Sequence, residues 1–130
     1  MLVVDASIAV GDCLSAAVLR TLGDEQFTAP PLLWPESRSA LRVLAHRGDI
    51  SREDARNGAE RLETIPIQSR VPAGLGREAW RIADELGWVR AYDAEYVALA
   101  SMLGCRLVTL DARLRRGADR LGFVVSPTEL

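Results

Sequence analysis

Hydrophobic residues along the chain fall into two patterns, short continuous runs and longer stretches with helical spacing. The runs at residues 1–4 and 105–110 predict buried strands, because both are continuous and consist mainly of aliphatic side chains. Each of these two runs ends at an aspartate. Further short extended segments are predicted at residues 26–30, 65–68 and 123–125.

Between these runs, apolar residues recur at spacings of three and four, which predicts amphipathic helices. Pro35 fits only the first turn of a helix, so its helix starts near Leu33 or kinks at Pro35. Ser51, followed by Asp54, predicts a capped helix start. The predicted helices cover residues 7–22, 33–48, 51–63, 77–87, 92–104 and 113–122, several of them ending at glycine.

Strands that alternate with helices predict an α/β fold around a mainly parallel sheet. A length of 130 residues predicts one domain over residues 1–130, and 48% hydrophobic residues supply a core. The small side chains of Ala55, Gly58 and Ala59, with Leu62, share one face of the helix at residues 51–63. Because that face is shallow, we expect it to suit contact with another chain.

Composition excludes several classes of protein. The net charge of −2 excludes a strongly basic nucleic-acid-binding tail. All 16 basic residues are Arg, which is consistent with a GC-rich coding bias or with binding of phosphates. One His and two separated Cys do not predict a zinc site. No apolar run reaches the ~20 residues that cross a bilayer, and no signal peptide precedes the first strand, so we expect a cytoplasmic protein without membrane contact.

Asp5 and Asp111 both stand where an apolar strand ends. In open α/β sheets, ligands bind beyond the carboxyl ends of the strands, so both carboxylates are expected to point into that crevice. The alternative is that each aspartate has only a local structural role, since an aspartate after a strand also forms turns and caps helices.

Two further acids begin apolar helical stripes. Glu36 precedes Ala40 and Leu44 at spacings of four, which predicts that all three face the core. Asp93 likewise precedes the apolar positions 96, 97 and 100. The alternatives are interaction of Glu36 with the helix dipole and capping by Asp93.

Four acids at the ends of buried elements suggest one shared cluster. Two like charges about 4 Å apart repel by roughly 4 kcal/mol at an effective dielectric constant of ~20. Such a cluster must bind protons or a cation. Because its motifs contain no Lys or His and all ligands would be oxygens, we expect Mg²⁺ or Mn²⁺.

Four segments in order, "VVDASIAV", "PPLLWPESRSAL", "YDAEYVALA" and "LVTLDARL", resemble the PIN-domain nucleases, and most closely the VapC toxins of toxin–antitoxin pairs. The resemblance covers essentially the whole chain. It implies a three-layer sandwich in which helices flank a mainly parallel central sheet. It also implies hydrolysis of RNA phosphodiesters by a Mg²⁺- or Mn²⁺-dependent ribonuclease.

The resemblance assigns roles to particular residues. Its four acids match Asp5, Glu36, Asp93 and Asp111, which would be both catalytic and metal-binding. The hydroxyls at positions 7 and 109 match supporting positions, although local hydrogen bonding at a strand end is the alternative. Glu95 is interpreted as a surface residue. The next acid after Asp111 lies eight residues on, so a one-metal site is favoured over a two-metal site.

Five arginines are candidate phosphate contacts, with solvation of a helix face as the alternative: Arg38, Arg42, Arg113, Arg115 and Arg116. The resemblance also implies three partners. They are an RNA substrate, a second copy of the chain in a homodimer, and a small antitoxin whose tail occupies the groove that holds the acids.

Three other functions are compatible with an aspartate after the first strand. A phosphatase with an aspartyl nucleophile needs a second aspartate two residues later, where this chain has Ser7. That enzyme and a phosphoacceptor receiver domain both use a lysine, which the chain lacks. A PIN fold that only binds, without catalysis, is the third alternative.

Overall fold

The computed structural model describes residues 1–15, 17–88 and 91–130. Within them the strands are β1 (Leu2–Val4), β2 (Phe27–Ala29), β3 (Ile67–Ser69), β4 (Arg106–Val108) and β5 (Val124–Val125). The α-helices are α1 (Ala6–Ser15), α2 (Val18–Thr21), α3 (Leu33–His46), α4 (Arg52–Glu63), α5 (Leu75–Leu86), α6 (Tyr92–Leu103) and α7 (Ala112–Gly117). Two short 3-10 helices, Asp119–Leu121 and Pro127–Glu129, lie near the end of the chain.

The five strands form one parallel sheet in the order β3-β2-β1-β4-β5. β1 is its central strand, and the chain continues to β2 on one side and later to β4 on the other. Strand order therefore reverses at β1, which places a crevice at the carboxyl ends of β1 and β4. The predicted α/β fold with a parallel sheet is confirmed.

The central strand is buried on both faces because helices flank the sheet. Leu2, Val3 and Val4 are almost inaccessible to solvent, as expected for a continuous apolar run in a parallel sheet. Helices α1, α3 and α4 pack against one another, whereas α5 packs on α6 and α6 packs on β1 and β4. Burial of β1 fixes the position of the residue that follows it, Asp5.

The predicted helix over residues 7–22 is two helices in the structure. α1 ends at Ser15 and α2 covers Val18–Thr21, while Ala16 lies outside the described residues. A carboxylate oxygen of Asp12 accepts a hydrogen bond from the amide of Leu19 (2.9 Å). This bond satisfies an amide in the first turn of α2, which favours a second helix start over one continuous helix.

α3 begins at Leu33, so the predicted effect of Pro35 is confirmed. The predicted buried stripe of α3 is wrong by one position, however. The fully buried residues are Leu33, Ser37 and Leu41, whereas Glu36 and the residues four and eight positions after it are only partly covered. Glu36 therefore borders an open groove and does not face the core.

α4 packs part of its small face, Gly58 and Leu62, within the chain, whereas Ala55 and Ala59 line an open groove between α3 and α4. The expected contact with another chain stays a prediction. Ser51 caps the helix as predicted, accepting a hydrogen bond from the amide of Asp54 (2.9 Å). Gly58 and Leu62 are buried, and a methyl group added at Gly58 would lie 3.2 Å from a methyl carbon of Leu41. Glycine thus permits the close approach of α4 to α3.

Replacing Leu62 by Ala tests whether this face belongs to the core. Leu62 is 0% exposed, so Leu62→Ala should lower the free energy of unfolding by about 2–5 kcal/mol through the cavity it leaves. Val71→Ala, at a residue that is 66% exposed, is the control and should change it by less than about 0.5 kcal/mol. Chemical denaturation measures both. A Leu62 variant as stable as the parent protein would contradict the assignment of this face to the core.

Candidate active site

Asp5 is held at the junction of the two central strands. β1 and β4 pair with Val4 opposite Val108, so Asp5 and Thr109, the next residues, emerge side by side. Asp5 is only 5% exposed. Ser7 Oγ donates to Oδ1 (2.5 Å), and Thr109 Oγ1 donates to Oδ2 (2.5 Å). The amide of Ile8 also donates to Oδ1 (3.3 Å).

The same two hydroxyls fix the segment that follows β4. Ser7 Oγ accepts a hydrogen bond from the amide of Leu110, and Thr109 Oγ1 accepts one from the amide of Asp111, both at 2.9 Å. Ser7 and Thr109 therefore support Asp5 and also make local strand-end bonds. Their supporting role in a metal site stays a prediction.

Asp111 is the N-cap of α7. Its Oδ1 accepts hydrogen bonds from the amides of Arg113 (2.9 Å) and Leu114 (3.3 Å), so the capping alternative describes this residue correctly. Its Oδ2 lies 3.8 Å from a guanidinium nitrogen of Arg113. The carboxylate is partly exposed, and this second oxygen accepts no hydrogen bond from the described residues.

Glu36 is tied to α6 through Tyr96. The hydroxyl of Tyr96 donates to Glu36 Oε1 (3.1 Å), although the two residues are 60 positions apart in sequence. Tyr96 is fully buried, and a buried tyrosine needs a partner for its hydroxyl. Sequence reasoning treated position 96 only as core. The signal it could have used is the presence of a phenol in an otherwise aliphatic stripe.

Asp93 lies in the first turn of α6 but does not cap it. The helix begins at Tyr92 with Ala91 as N-cap, so the capping alternative is wrong for this residue. Asp93 Oδ2 lies 3.9 Å from the same guanidinium nitrogen of Arg113 that faces Asp111. One cation therefore stands between two of the four predicted acids.

Electrostatic coupling connects all four acids. Burial raises the pKa of Asp5 against the opposing effect of its hydrogen bonds, and the charge of Asp93 raises that pKa further. Burial also raises the pKa of Glu36, with added repulsion from Asp93 and Asp5, while the Tyr96 bond opposes it. For Asp93, burial again raises the pKa, Arg113 lowers it, and Asp111 raises it. The crevice thus holds mutually repelling carboxylates.

Glu95 belongs to the surroundings of this cluster. It was predicted to be a surface residue, but it is half-buried and its charge adds to the repulsion that raises the pKa of Glu36. The prediction placed Glu95 on the side of α6 away from Asp93. It could not take account of Glu36, which approaches α6 from α3.

A hard divalent ion prefers oxygen ligands, which the four acids provide. Across residues 1–15, 17–88 and 91–130, no three acidic, His or Cys side chains are arranged to hold one ion together. Mg²⁺ does not require three protein ligands, because it commonly binds through one or two carboxylates, water and substrate phosphate. All the donors are oxygens, and Asp93 and Asp111 already share the guanidinium of Arg113. The donor chemistry of the crevice therefore suits a hard divalent ion that is bound partly through water.

The five candidate arginines lie in different places. Arg113 alone among them pairs with the acids, as far as the described residues show. Arg38 and Arg42 line a separate groove between α3 and α4, and Arg38 lies 3.6 Å from a carboxylate oxygen of Glu63. Arg115 is held by carboxylates at positions 119 (2.6 Å) and 129 (2.8 Å), which does not favour an RNA contact. Arg116 is exposed on α7.

Comparison with known proteins identifies the family of the chain. The family described as "PIN domain" matches residues 2–120. VapC ribonuclease Mb0985 of Mycobacterium bovis is 38% identical over 115 residues, covering 88% of each chain. Ribonuclease VapC1 of Mycobacterium tuberculosis is 40% identical over 119 residues, covering 86% of each chain.

A solved structure shows the same fold. The crystal structure of PAE2754 from Pyrobaculum aerophilum superposes with a TM-score of 0.73 at 23% identity, covering 98% of this chain and 91% of that one. The chain therefore belongs to the PIN-domain family and, within it, to the VapC ribonucleases. No helix in the described part of the chain is long and apolar enough to cross a membrane.

Replacing Glu36 by Gln should stabilise the metal-free protein at neutral pH. A carboxyl whose pKa is raised by folding destabilises the native state above that pKa, and the effect disappears as pH falls towards the ordinary value of 4.5. Glu36→Gln removes the charge and keeps an oxygen for Tyr96. We expect the free energy of unfolding to rise by about 0.5–1 kcal/mol at pH 7.5 and not to change near pH 4. The expected rise is small because the side chain is partly exposed to solvent, which screens its charge.

Denaturation in EDTA at the two pH values measures this difference. Glu60→Gln, at an exposed position of α4, is the matched control and should change the stability little at either pH. A gain of equal size at both pH values would show that side-chain shape, and not charge, causes the effect.

Proposed function

We propose that this protein is a metal-dependent endoribonuclease that acts as the toxin of a toxin–antitoxin pair. The observation that carries the proposal is the arrangement of Asp5, bonded by Ser7 and Thr109 at the carboxyl ends of β1 and β4, and of Asp93 and Asp111, whose carboxylates lie 3.9 and 3.8 Å from one guanidinium nitrogen of Arg113. Glu36 is coupled to this group, since the charges of Asp93 and Asp5 raise its pKa. The relatives named as VapC ribonucleases support the same activity.

The roles of the acids follow from their surroundings. Asp5 and Asp93 would hold the principal divalent ion, and Glu36 and Asp111 would complete the cluster directly or through water. When bound, Mg²⁺ or Mn²⁺ supplies positive charge that activates water and offsets the charge developing on the phosphate. Ser7 and Thr109 hold the Asp5 carboxylate in one orientation, so that it does not have to reorganise during the reaction.

Glu36 is the best candidate for a general base. Its raised pKa makes its carboxylate a stronger proton acceptor than an ordinary glutamate. The hydrogen bond from Tyr96 fixes one of its two oxygens. Glu36 would take a proton from the attacking water while Tyr96 keeps the carboxylate directed at the crevice.

RNA must approach this acidic crevice although its backbone is negative. Neutralisation of the acids by a divalent ion removes most of that repulsion. Arg113, on the first turn of α7, is the candidate arginine nearest to the acids and would then be free to contact a phosphate. We therefore propose that metal and RNA bind cooperatively.

The partners proposed are an antitoxin, a second copy in a homodimer and cellular RNA, with the protein acting in the cytoplasm. A groove of about 690 Å³ between α3 and α4 supports an acidic protein partner, because its walls carry four arginines and its floor is apolar. The arginines are Arg38, Arg42, Arg52 and Arg56.

The phosphatase alternative is disfavoured by the state of Asp5. A nucleophilic carboxylate must present an oxygen to the phosphorus, whereas Asp5 is buried and accepts hydrogen bonds at both oxygens. Ser7, in the place of the second aspartate, donates a hydrogen bond to Asp5 and cannot act as a carboxylic acid.

Cleavage of RNA by the Asp93→Asn variant tests the proposal. With Mg²⁺, the parent protein should cleave RNA, and the variant should be slower by at least about 100-fold, because several kcal/mol of transition-state stabilisation are lost. Asp93 is chosen because its carboxylate, unlike that of Asp5, supports no strand junction. Gel analysis of cleavage products measures the rates.

Asp84→Asn provides the control, since Asp84 is exposed on α5, outside the acid cluster. It should cleave as the parent does. No RNA cleavage by the parent with either Mg²⁺ or Mn²⁺ would favour a PIN fold that only binds. Identical cleavage by the parent and Asp93→Asn would show that catalysis does not use this site.

A further inference from the structure

α7, whose N-cap is one of the four acids, is too short to be stable by itself. Of its six residues, all of which the structure describes, Leu114 alone is buried. Isolated helices shorter than ~12–15 residues are marginally stable in water, so contacts outside the helix must hold it. Because Asp111 is the N-cap, any movement of α7 would also displace the Asp111 carboxylate from the crevice.

Arg115 ties α7 to the end of the chain. Its guanidinium donates two parallel hydrogen bonds to Glu129, from Nε to Oε1 and from Nη2 to Oε2, both at 2.8 Å. The third nitrogen, Nη1, donates to Asp119 (2.6 Å). Arg115 lies one turn after Asp111, whose carbonyl accepts a hydrogen bond from the Arg115 amide (3.0 Å). Since a two-pronged pair fixes direction as well as distance, it holds this turn of α7 in one orientation.

Glu129 is itself anchored to the sheet. Its Oε1 also accepts hydrogen bonds from the amide and the hydroxyl of Ser126, both at 2.9 Å. Ser126 follows β5, in which the carbonyl of Val125 accepts a hydrogen bond from the amide of Thr109 (3.0 Å). Thr109 is the residue whose hydroxyl donates to Asp5. The contacts therefore close a ring that runs from β4 through α7 to Glu129 and back through β5.

The pair of Arg115 and Glu129 is better placed than an ordinary surface ion pair. Their side chains are 25% and 39% exposed, and a third charge takes part through Asp119. Exposed pairs usually contribute little to stability, whereas two-pronged geometry and networks of charges are the exceptions. Hydrogen bonds from Arg115, and next from Ser126, lower the pKa of Glu129 to about 2, so the pair stays charged throughout the neutral range.

We propose that Glu129 is a positioning residue of the active site, which acts by holding Arg115 and with it α7. The N-cap Asp111 thereby keeps its place among the acids. The inference rests on the proposed ribonuclease function and adds a supporting residue to it. It also gives Arg115 a role opposite to that of a phosphate contact, because a phosphate would have to draw Arg115 away from Glu129.

Single-turnover cleavage of RNA with Mg²⁺ tests the proposal. At saturating RNA, Glu129→Ala and Arg115→Ala should each cleave about 10-fold more slowly than the parent, the lower end of the range for residues that hold metal-binding groups in place. The double variant should be no slower than either, because both substitutions open the same pair. Affinity for RNA, measured with Ca²⁺ in place of Mg²⁺, should stay within about twofold of the parent, since no phosphate contact is lost.

Amide hydrogen exchange of the metal-free protein is a second measurement, which needs no RNA. The amides of Leu114 and Arg115 donate to Asp111 and report whether the start of α7 is held. They should exchange several-fold faster in Glu129→Ala. Glu129→Gln, which keeps the side-chain length and removes the charge, should show the same direction of change if the Ala variant folds poorly.

Glu78→Ala is the matched control. Glu78 makes the same two-pronged pair with Arg81, from Nε to Oε2 (3.1 Å) and from Nη2 to Oε1 (2.6 Å), and Arg81 also holds Glu85 four residues on. All three residues lie within α5, so this pair does not support α7. Glu78→Ala should cleave RNA as the parent does and leave exchange in α7 unchanged.

Three results would overturn the inference and leave the ribonuclease proposal intact. The first is cleavage and amide exchange in Glu129→Ala equal to those of the parent. The second is tighter RNA binding by Glu129→Ala, because Arg115 would then be a phosphate contact that Glu129 covers. The third is a double variant in which the two losses multiply. If the parent cleaves no RNA, the ribonuclease proposal is lost, and exchange alone still decides whether Glu129 holds α7.

Discussion

The buried parallel sheet brings four carboxylates, Asp5, Glu36, Asp93 and Asp111, close enough together to repel one another. Burial and mutual repulsion raise the pKa values of Asp5, Glu36 and Asp93, so the native state carries an electrostatic penalty when no cation is bound. A fold stabilised only by its core would not need such a cluster. The penalty is reduced in two ways, by hydroxyl donors to Asp5 and by the guanidinium of Arg113 between Asp93 and Asp111.

The placement of these acids follows from sheet topology. β1 is central and pairs with β2 and β4, so the residues after β1 and β4 emerge together where strand order reverses. α3 and α6 then bring Glu36 and Asp93 to the same edge, with the Tyr96 hydroxyl as the direct link between the two helices. Core packing therefore determines where charge accumulates, and a carboxylate that follows a buried strand has little freedom to move away.

Sequence reasoning recovered what depends on local patterns. The strands, most helix bounds and the cap at Ser51 follow from hydrophobic spacing and cap chemistry, while the assignment of the four acids to one metal site stays a prediction. The predictions from sequence were wrong or incomplete where tertiary contacts determine which side chains are buried or paired. The buried stripe of α3 lies one position away from the predicted one. The pairing of Tyr96 with Glu36 spans 60 residues, so the phenol in the stripe of α6 indicates that a partner is needed but not which residue supplies it. Arg115 could not be separated from the other arginines before its two carboxylate partners were seen.

The most direct measurement of the central claim is the midpoint of thermal unfolding as a function of Mg²⁺ or Mn²⁺ concentration, at constant ionic strength and without RNA. A cation that binds the native cluster stabilises it by mass action, so the midpoint should rise steadily with metal and should rise much less in Asp93→Asn. A midpoint that stays constant through millimolar concentrations of both ions would contradict the account.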